Sequence, residues 1–198
     1  PERSGGGGAI GDIGTHAYNL ACFVTGLSVE RLSADLQSFV PGRRLDDNAH
    51  VMLRFGGGGA RGMLWCSQVA PGNENALRLR VYGEKGGLEW AQEDPNYLWF
   101  TPFGEAKRLL TRRGAGASDA ANAVSRTPGG HPEGYLEGFA QIYTDIAEQI
   151  AARIEGRDPD PAALLVPTVR DGLRGVQFIS AAVDSSRNSA AWTSLSHS

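Results

Sequence analysis

The stretch SGGGGAIGDIGTHAYNLACFVTG, Ser4 to Gly26, runs four consecutive glycines into a segment with helical character. Gly6, Gly8 and Gly11 fit G-x-G-x-x-G, the spacing that lets a dinucleotide pyrophosphate approach a helix N-terminus. That reading requires a buried strand ahead of the first glycine, and only Pro-Glu-Arg-Ser stands there. Glu30, about 20 positions on, would mimic the ribose-binding acid of such a fold, so the match is good in all but its first part. A phosphate-binding P-loop fits less well, because no Gly-Lys-Ser/Thr follows. The other reading starts from Asp12 and His16. Four residues apart on a helix, they project from one face. A carboxylate beside an imidazole orients the ring for general acid/base work on an alcohol or carbonyl, and glycines nearby let a bulky ligand approach the backbone. A helix-capping Asp12 and a core His16 would satisfy the same spacing, which by itself leaves both readings open.

Working outward, residues 12–25 read as a helix, with Asp12 acceptable as N-cap and Gly26 as stop. Strands follow at 29–39, 48–55, 60–70, 76–83, around Leu88-Glu89-Trp90, at 96–102 and at 105–111. Alternation is clearest in Leu77, Leu79 and Val81 against Arg78, Arg80 and Tyr82. Short, glycine-rich connections argue for antiparallel pairing, since parallel crossovers need a dozen or more residues. Residues 114–130 read as a flexible polar loop. A helix over 132–155 starts at Pro132 and Glu133 and carries an apolar stripe of Leu136, Phe139, Ala140, Tyr143, Ala147, Ile150 and Ile154. A last helix over 167–186 has Val169, Leu173, Val176 and Val183 as its apolar face. The order predicts a single α+β domain, a mostly antiparallel open sheet with helices packed on one face.

Composition agrees with a globular chain: 198 residues, 41% hydrophobic and 21% charged. A net charge of −3 without a basic stripe argues against nucleic acid as a partner. No apolar run is long enough to span a bilayer, and the start shows no secretory pattern, so the expected location is the cytoplasm. The chain lacks an initiator Met, which implies processing or a longer parent. Cys22 and Cys66, in apolar surroundings, read as buried reduced thiols. His50 alternates with core residues on its strand and reads as surface or interface. Asp46-Asp47 reads as a turn feature. A zinc site from Asp12, His16 and His131 has no ligand-spacing motif behind it, so no metal is expected.

Several segments together resemble one family. GGGGAIGDIGTHAYNLACFVTG, with its D-x-x-x-H, DDNAHVMLRFGGGGARGMLWCSQ (46–68), LRVYGEKGGLEW (79–90), GGHPEGYLEGFAQIY (129–143) and VPTVRDGLRGVQFISAAVDSSRNSAAW (166–192) are similar, in order, to parts of the Gfo/Idh/MocA (glucose–fructose oxidoreductase / inositol dehydrogenase) family. The resemblance implies the family's C-terminal substrate-binding and oligomerisation domain. The family's Rossmann domain and its E-K-P motif have no counterpart in these residues. It further implies an NAD- or NADP-dependent parent enzyme that transfers hydride at a CH–OH group of a sugar, inositol or related polyol, with this piece inactive alone. His16 would act as base or proton relay, and Asp12 would orient it and bind a substrate hydroxyl. His131 and Tyr135 are further substrate-binding candidates, and cofactor contacts would lie mainly in the missing domain. Homodimerisation through the open sheet face is also implied. A non-catalytic sugar-sensing domain and a pure dimerisation module remain the alternatives.

Overall fold

The computed structural model describes residues 7–195, and the chain forms two units. The first runs through Glu74 and resumes at Thr168; the second comprises Asn75–Pro167.

In the first unit a helix opens with a π-turn, Ile10–Gly14, and continues as α1, Thr15–Thr25. It ends at Gly26 in the left-handed conformation that glycine adopts without strain. Strands β1 (Val29–Gln37), β2 (Asn48–Phe55) and β3 (Arg61–Ser67) follow. Helix α4 (Val169–Arg187) and the two-residue strand β8 (Thr193–Ser194) close the unit. The sheet is antiparallel, ordered β3-β2-β1-β8. Register puts Leu32, Leu53 and Gly62 in one cross-strand row, Ala34, Val51 and Leu64 in the next, and Leu36, Ala49 and Cys66 in the third. This face packs under the helices: Ile10, Leu32, Val51 and Phe178 are fully buried, and the Tyr18 ring stacks on Phe178 at 4.4 Å.

β8 pairs only with Arg31 and Leu32, so the later edge amides of β1 need other acceptors. Ser185 and Ser186 of α4 supply them, accepting from Ala34 N at 2.9 Å and Leu36 N at 3.1 Å. That requirement overrides the apolar face expected for α4. The helix turns Phe178, Ala181, Ala182 and Ser185 inward together with Val183, while Val169, Leu173 and Val176 stand exposed.

The second unit is a meander of β4 (Arg78–Gly83), β5 (Gly86–Ala91), β6 (Tyr97–Pro102) and β7 (Arg108–Thr111), paired in chain order. The strands that read as one series thus divide between two sheets. The turn from β4 to β5 needs glycine at position 86, where φ is +155° and a Cβ would crowd Pro102 Cα at 3.1 Å. The segment 114–130 is not the featureless loop expected from its composition. It holds a short helix α2 (Asp119–Ala123), whose N-cap Ser118 accepts from Ala121 N. The long helix is α3 (Tyr135–Glu155), so Pro132 and Glu133 fall before it. Glu137, rather than Glu133, takes the capping role by accepting from Gly134 N at 2.8 Å. Its expected stripe is present but exposed at Leu136, Tyr143, Ile150 and Ile154.

Candidate active-site cleft

Asp46 explains the glycine run. Its carboxylate accepts from Gly8 N through Oδ1 and from Ile10 N through Oδ2 at 2.8 Å, and its backbone carbonyl accepts from Ala9 N at 2.8 Å. A buried acid from the β1–β2 connection therefore saturates the first amides of the opening helix, where the helix dipole favours negative charge. This approach demands glycine: a Cβ on Gly8 would overlap the Asp46 carbonyl oxygen and lie 2.8 Å from Leu45 Cβ. On Gly7 it would lie 2.8 Å from Ile179 Cγ2, and on Gly14 2.8 Å from Ile10 Cδ1. Gly11 is not crowded, its nearest neighbour being Ile179 Cδ1 at 3.8 Å. Gly6 lies outside the described residues. The amides that a dinucleotide fold would offer to a pyrophosphate are thus consumed within the protein, and this helix end does not fit the phosphates of NAD(P).

Asp12 is consequently not an N-cap. It sits inside the π-turn, a helical irregularity that often marks functional sites. From there it lines an open cleft of about 710 Å³ together with Gly11, Arg43, Arg44, Asp46 and Gln68. Its Oδ2 accepts from Gln68 Nε2 at 3.0 Å. His16, one turn on, is exposed; among the described residues no hydrogen bond joins it to Asp12. The anticipated ring-orienting hydrogen bond is therefore not seen; Gln68, just after β3, bonds Asp12 Oδ2 instead.

The cleft is held by the adjacent acid. Asp47, fully buried, accepts from Phe39 N at 2.9 Å and Val40 N at 3.0 Å, and Arg43 Nη1 approaches it to 3.3 Å. Burial pushes the Asp47 carboxyl up, but the two amides and the guanidinium outweigh it and hold it below the usual carboxylate range. Asp46 and Asp47 are thus the two staples of the cleft wall. Neither Gln68 nor Arg44 carried a signal that sequence patterning could detect. Cys66 donates to Ala9 O at 3.6 Å behind this wall, and burial, with the Asp46 charge, pushes its thiol up to about 12. Cys22 is also free, half-buried, and raised by burial. Thiols so shifted are poor nucleophiles.

His131 and Tyr135 belong to the second unit. Both are exposed, Tyr135 at 73%, with its ring 4.9 Å from Phe139. The segment before them is tied down by Arg112, which does not stand out in the sequence, and by Glu133, which reads there as a helix-start residue. His50 is exposed on β2, its Nδ1 3.3 Å from Asn48 Nδ2. Among the described residues no group of three or more His, Cys, Asp or Glu side chains is placed to hold a metal, and no helix is long and apolar enough to cross a membrane.

Known proteins place this architecture. Residues 1–89 match the GFO/IDH/MocA C-terminal domain. The chain is 31% identical over 194 residues to the uncharacterized oxidoreductase YfiI of Bacillus subtilis (strain 168), covering 97% of this chain and 49% of that one. An oxidoreductase from Sinorhizobium meliloti is 64% identical, with a TM-score of 0.89 over 93% of this chain and 51% of its own. An inositol dehydrogenase homolog from Azotobacter vinelandii, complexed with NADH and myo-inositol, is 31% identical, with a TM-score of 0.85 over 94% of this chain and 49% of its own. The chain thus spans about half the length of these relatives. Its first 89 residues match the GFO/IDH/MocA C-terminal domain, and over nearly its whole length it is similar to oxidoreductases about twice as long.

Proposed function

We propose that this chain is the substrate-binding and dimerisation portion of a cytoplasmic NAD(P)-dependent oxidoreductase that acts at a CH–OH group of a sugar, inositol or related polyol. The carrying observation is the cleft beside the π-turn, where Asp12 and Gln68 are already hydrogen-bonded to each other at 3.0 Å. A carboxylate accepts hydrogen bonds from hydroxyls and an amide both donates and accepts, which matches the alternating donor and acceptor demands of a polyol. His16 is the proton acceptor for the reacting hydroxyl, and Asp12 holds a neighbouring hydroxyl. The myo-inositol bound by the Azotobacter vinelandii homolog supports the substrate class. The pyrophosphate of the cofactor is assigned to the half of the whole protein that this chain does not span, since the glycine-rich helix end here is filled by Asp46.

A pure dimerisation module would have Asp12 and His16 buried against each other; both are exposed and Asp12 lines a cleft. Kinetics of the whole protein on a panel of myo-inositol, sorbitol and glucose test the proposal. His16→Ala is expected to lower kcat by about 10²–10⁴, the range for a general acid/base, and Asp12→Asn to cost less. A near-normal kcat in His16→Ala, with a lowered melting temperature, would refute the catalytic role.

Dimerisation is proposed through the open face of the β3-β2-β1 sheet. Its rows are Arg31/Arg54/Arg61, Ser33/Met52/Met63, Asp35/His50/Trp65 and Gln37/Asn48/Ser67. Met63 is 88% exposed and Trp65 58%, an apolar centre between a basic row and a row holding Asp35. A two-fold axis through that centre lays the arginine row of one copy over the Asp35/Trp65 row of the other, a self-complementary arrangement.

A further inference from the structure

The β1–β2 connection braces the cleft wall on both sides of one side chain. Asp47 accepts from Phe39 N and Val40 N and holds the Arg43 guanidinium. Arg43 N donates to Val40 O at 3.1 Å, and Arg43 O accepts from Ser38 Oγ at 3.1 Å. Beyond them, Asp46 O accepts from Ala9 N at 2.8 Å and Asp47 N donates to Gln37 O at 2.9 Å. Arg44 stands between these ties. It lines the cleft and is exposed, and among the described residues it has no hydrogen bond, ion pair or ring contact.

The other charged side chains of the cleft are engaged. Asp46 is bonded by the amides of Gly8 and Ile10, Asp12 by Gln68, and Arg43 by Asp47. Each of these residues belongs to the first unit, so the arrangement is set within that unit. The polar lining suits two kinds of group. Asp12 and Gln68 suit hydroxyls, and the Asp12 carboxylate repels an anion. A guanidinium presents five N–H donors in a planar fork, which matches two oxygens of a carboxylate or phosphate. The wall that carries Arg44 is fixed before any ligand arrives, so binding orders the side chain alone.

We infer that Arg44 is the anion receptor of the cleft, and that the preferred substrate is a polyol bearing an anionic group, a carboxylate or a phosphate monoester. The inference rests on the reading of the cleft as the substrate site. Asp12 and Gln68 take hydroxyls while Arg44 takes the anion. The myo-inositol held by the Azotobacter vinelandii homolog is neutral, so Arg44 narrows the substrate within the polyol class.

The test uses the whole protein and pairs each neutral polyol with anionic counterparts: myo-inositol with myo-inositol 1-phosphate, sorbitol with sorbitol 6-phosphate, and glucose with glucose 6-phosphate and glucuronate. The phosphate and carboxylate arms separate the two anions. In at least one pair, kcat/KM for the anionic member should exceed that of the neutral one by about tenfold, the lower end for a charge-assisted bond because Arg44 is exposed. The ratio should shrink as salt is raised from about 0.01 to 1 M, where the screening length falls from about 30 to 3 Å. Arg44→Gln should bring the ratio to about one through KM, and Arg44→Lys, a point charge without the fork, should keep part of it. Melting curves establish that each variant is folded, and loss of an exposed side chain without partners should shift them little. A ratio near one in every pair of the wild-type protein, or an unchanged ratio in folded Arg44→Gln, overturns the inference and leaves the polyol reading standing. A loss in Arg44→Gln that falls on KM for NAD or NADP in place of the polyol also overturns it, since the anion would then be the cofactor's phosphate. Absence of turnover on neutral and anionic members alike refutes the polyol reading together with this inference.

Discussion

Alanine at Gly8 and at Gly11 should behave oppositely, and the contrast decides what the glycine run is for. A Cβ on Gly8 overlaps the Asp46 carbonyl oxygen and stands 2.8 Å from Leu45 Cβ; both obstacles are chain atoms that cannot swing aside. The helix start or the Asp46 segment must move, and the amide bonds to Asp46 from Gly8, Ala9 and Ile10 lengthen with it. Overpacking of a tight site costs about 1–3 kcal/mol and loss of a capping carboxylate about 0.5–2 kcal/mol, so Gly8→Ala should destabilise by about 2–5 kcal/mol. At Gly11 the nearest atom is 3.8 Å away, an ordinary contact. Removing glycine's backbone entropy from a helix there should be neutral or stabilising by up to about 1 kcal/mol. Urea unfolding followed by far-UV circular dichroism and Trp fluorescence measures both. If Gly8→Ala cost less than about 1 kcal/mol, the packing argument would fail. If both substitutions spared stability but weakened NADH binding, the glycines would be a cofactor loop after all.

Other outcomes follow from the same geometry. The 198-residue chain alone, titrated with NADH by intrinsic Trp fluorescence, should show no saturable binding below the millimolar range, because Asp46 occupies the helix amides; tight binding would contradict this. The chain should sediment as a dimer at micromolar concentration, and Met63→Lys, in the middle of the open face, should yield the monomer; a wild-type monomer refutes the interface. Burial pushes the Glu133 carboxyl up, but the Thr127 and Arg126 amides, the Thr127 hydroxyl and Arg112 outweigh it, so its folded value lies below the unfolded one. Its contribution is therefore complete above the unfolded value of about 4.3 and is lost as pH falls through the lower folded value. Protection of the amides at 126–133, taken relative to their intrinsic exchange rates at each pH, should fall only on that acid side and stay flat between about pH 5 and 8; a loss of protection in the neutral range would point to a different lock.

What patterning could read was whatever repeats. The alternation in 76–83 and the apolar content of 48–55 and 60–70 announce strands, and these strands form, because period-two burial is a local property. The D-x-x-x-H spacing likewise gave Asp12 and His16 a shared helix. What escaped was set by single long-range polar contacts. The opening helix begins before Asp12 because Asp46, 36 residues away from Ile10, caps it, and no local signal in AIGDIG encodes a remote acid. Asp12 finds Gln68 as its partner through a contact spanning 56 residues. α4 buries Ser185 in preference to Val169 because β8 is too short to satisfy the β1 edge, a shortfall visible only once the sheet is built. The segment 114–130 reads as flexible by composition, yet Arg112, Arg113 and Glu133 bind its carbonyls and amides from outside it. At the helix start, the β1 edge and the segment 114–130, backbone groups required partners, and a side chain distant in sequence or outside the segment met that requirement. The resemblance singled out Asp12, and buried-polar satisfaction determined how the walls of the cleft it lines are built.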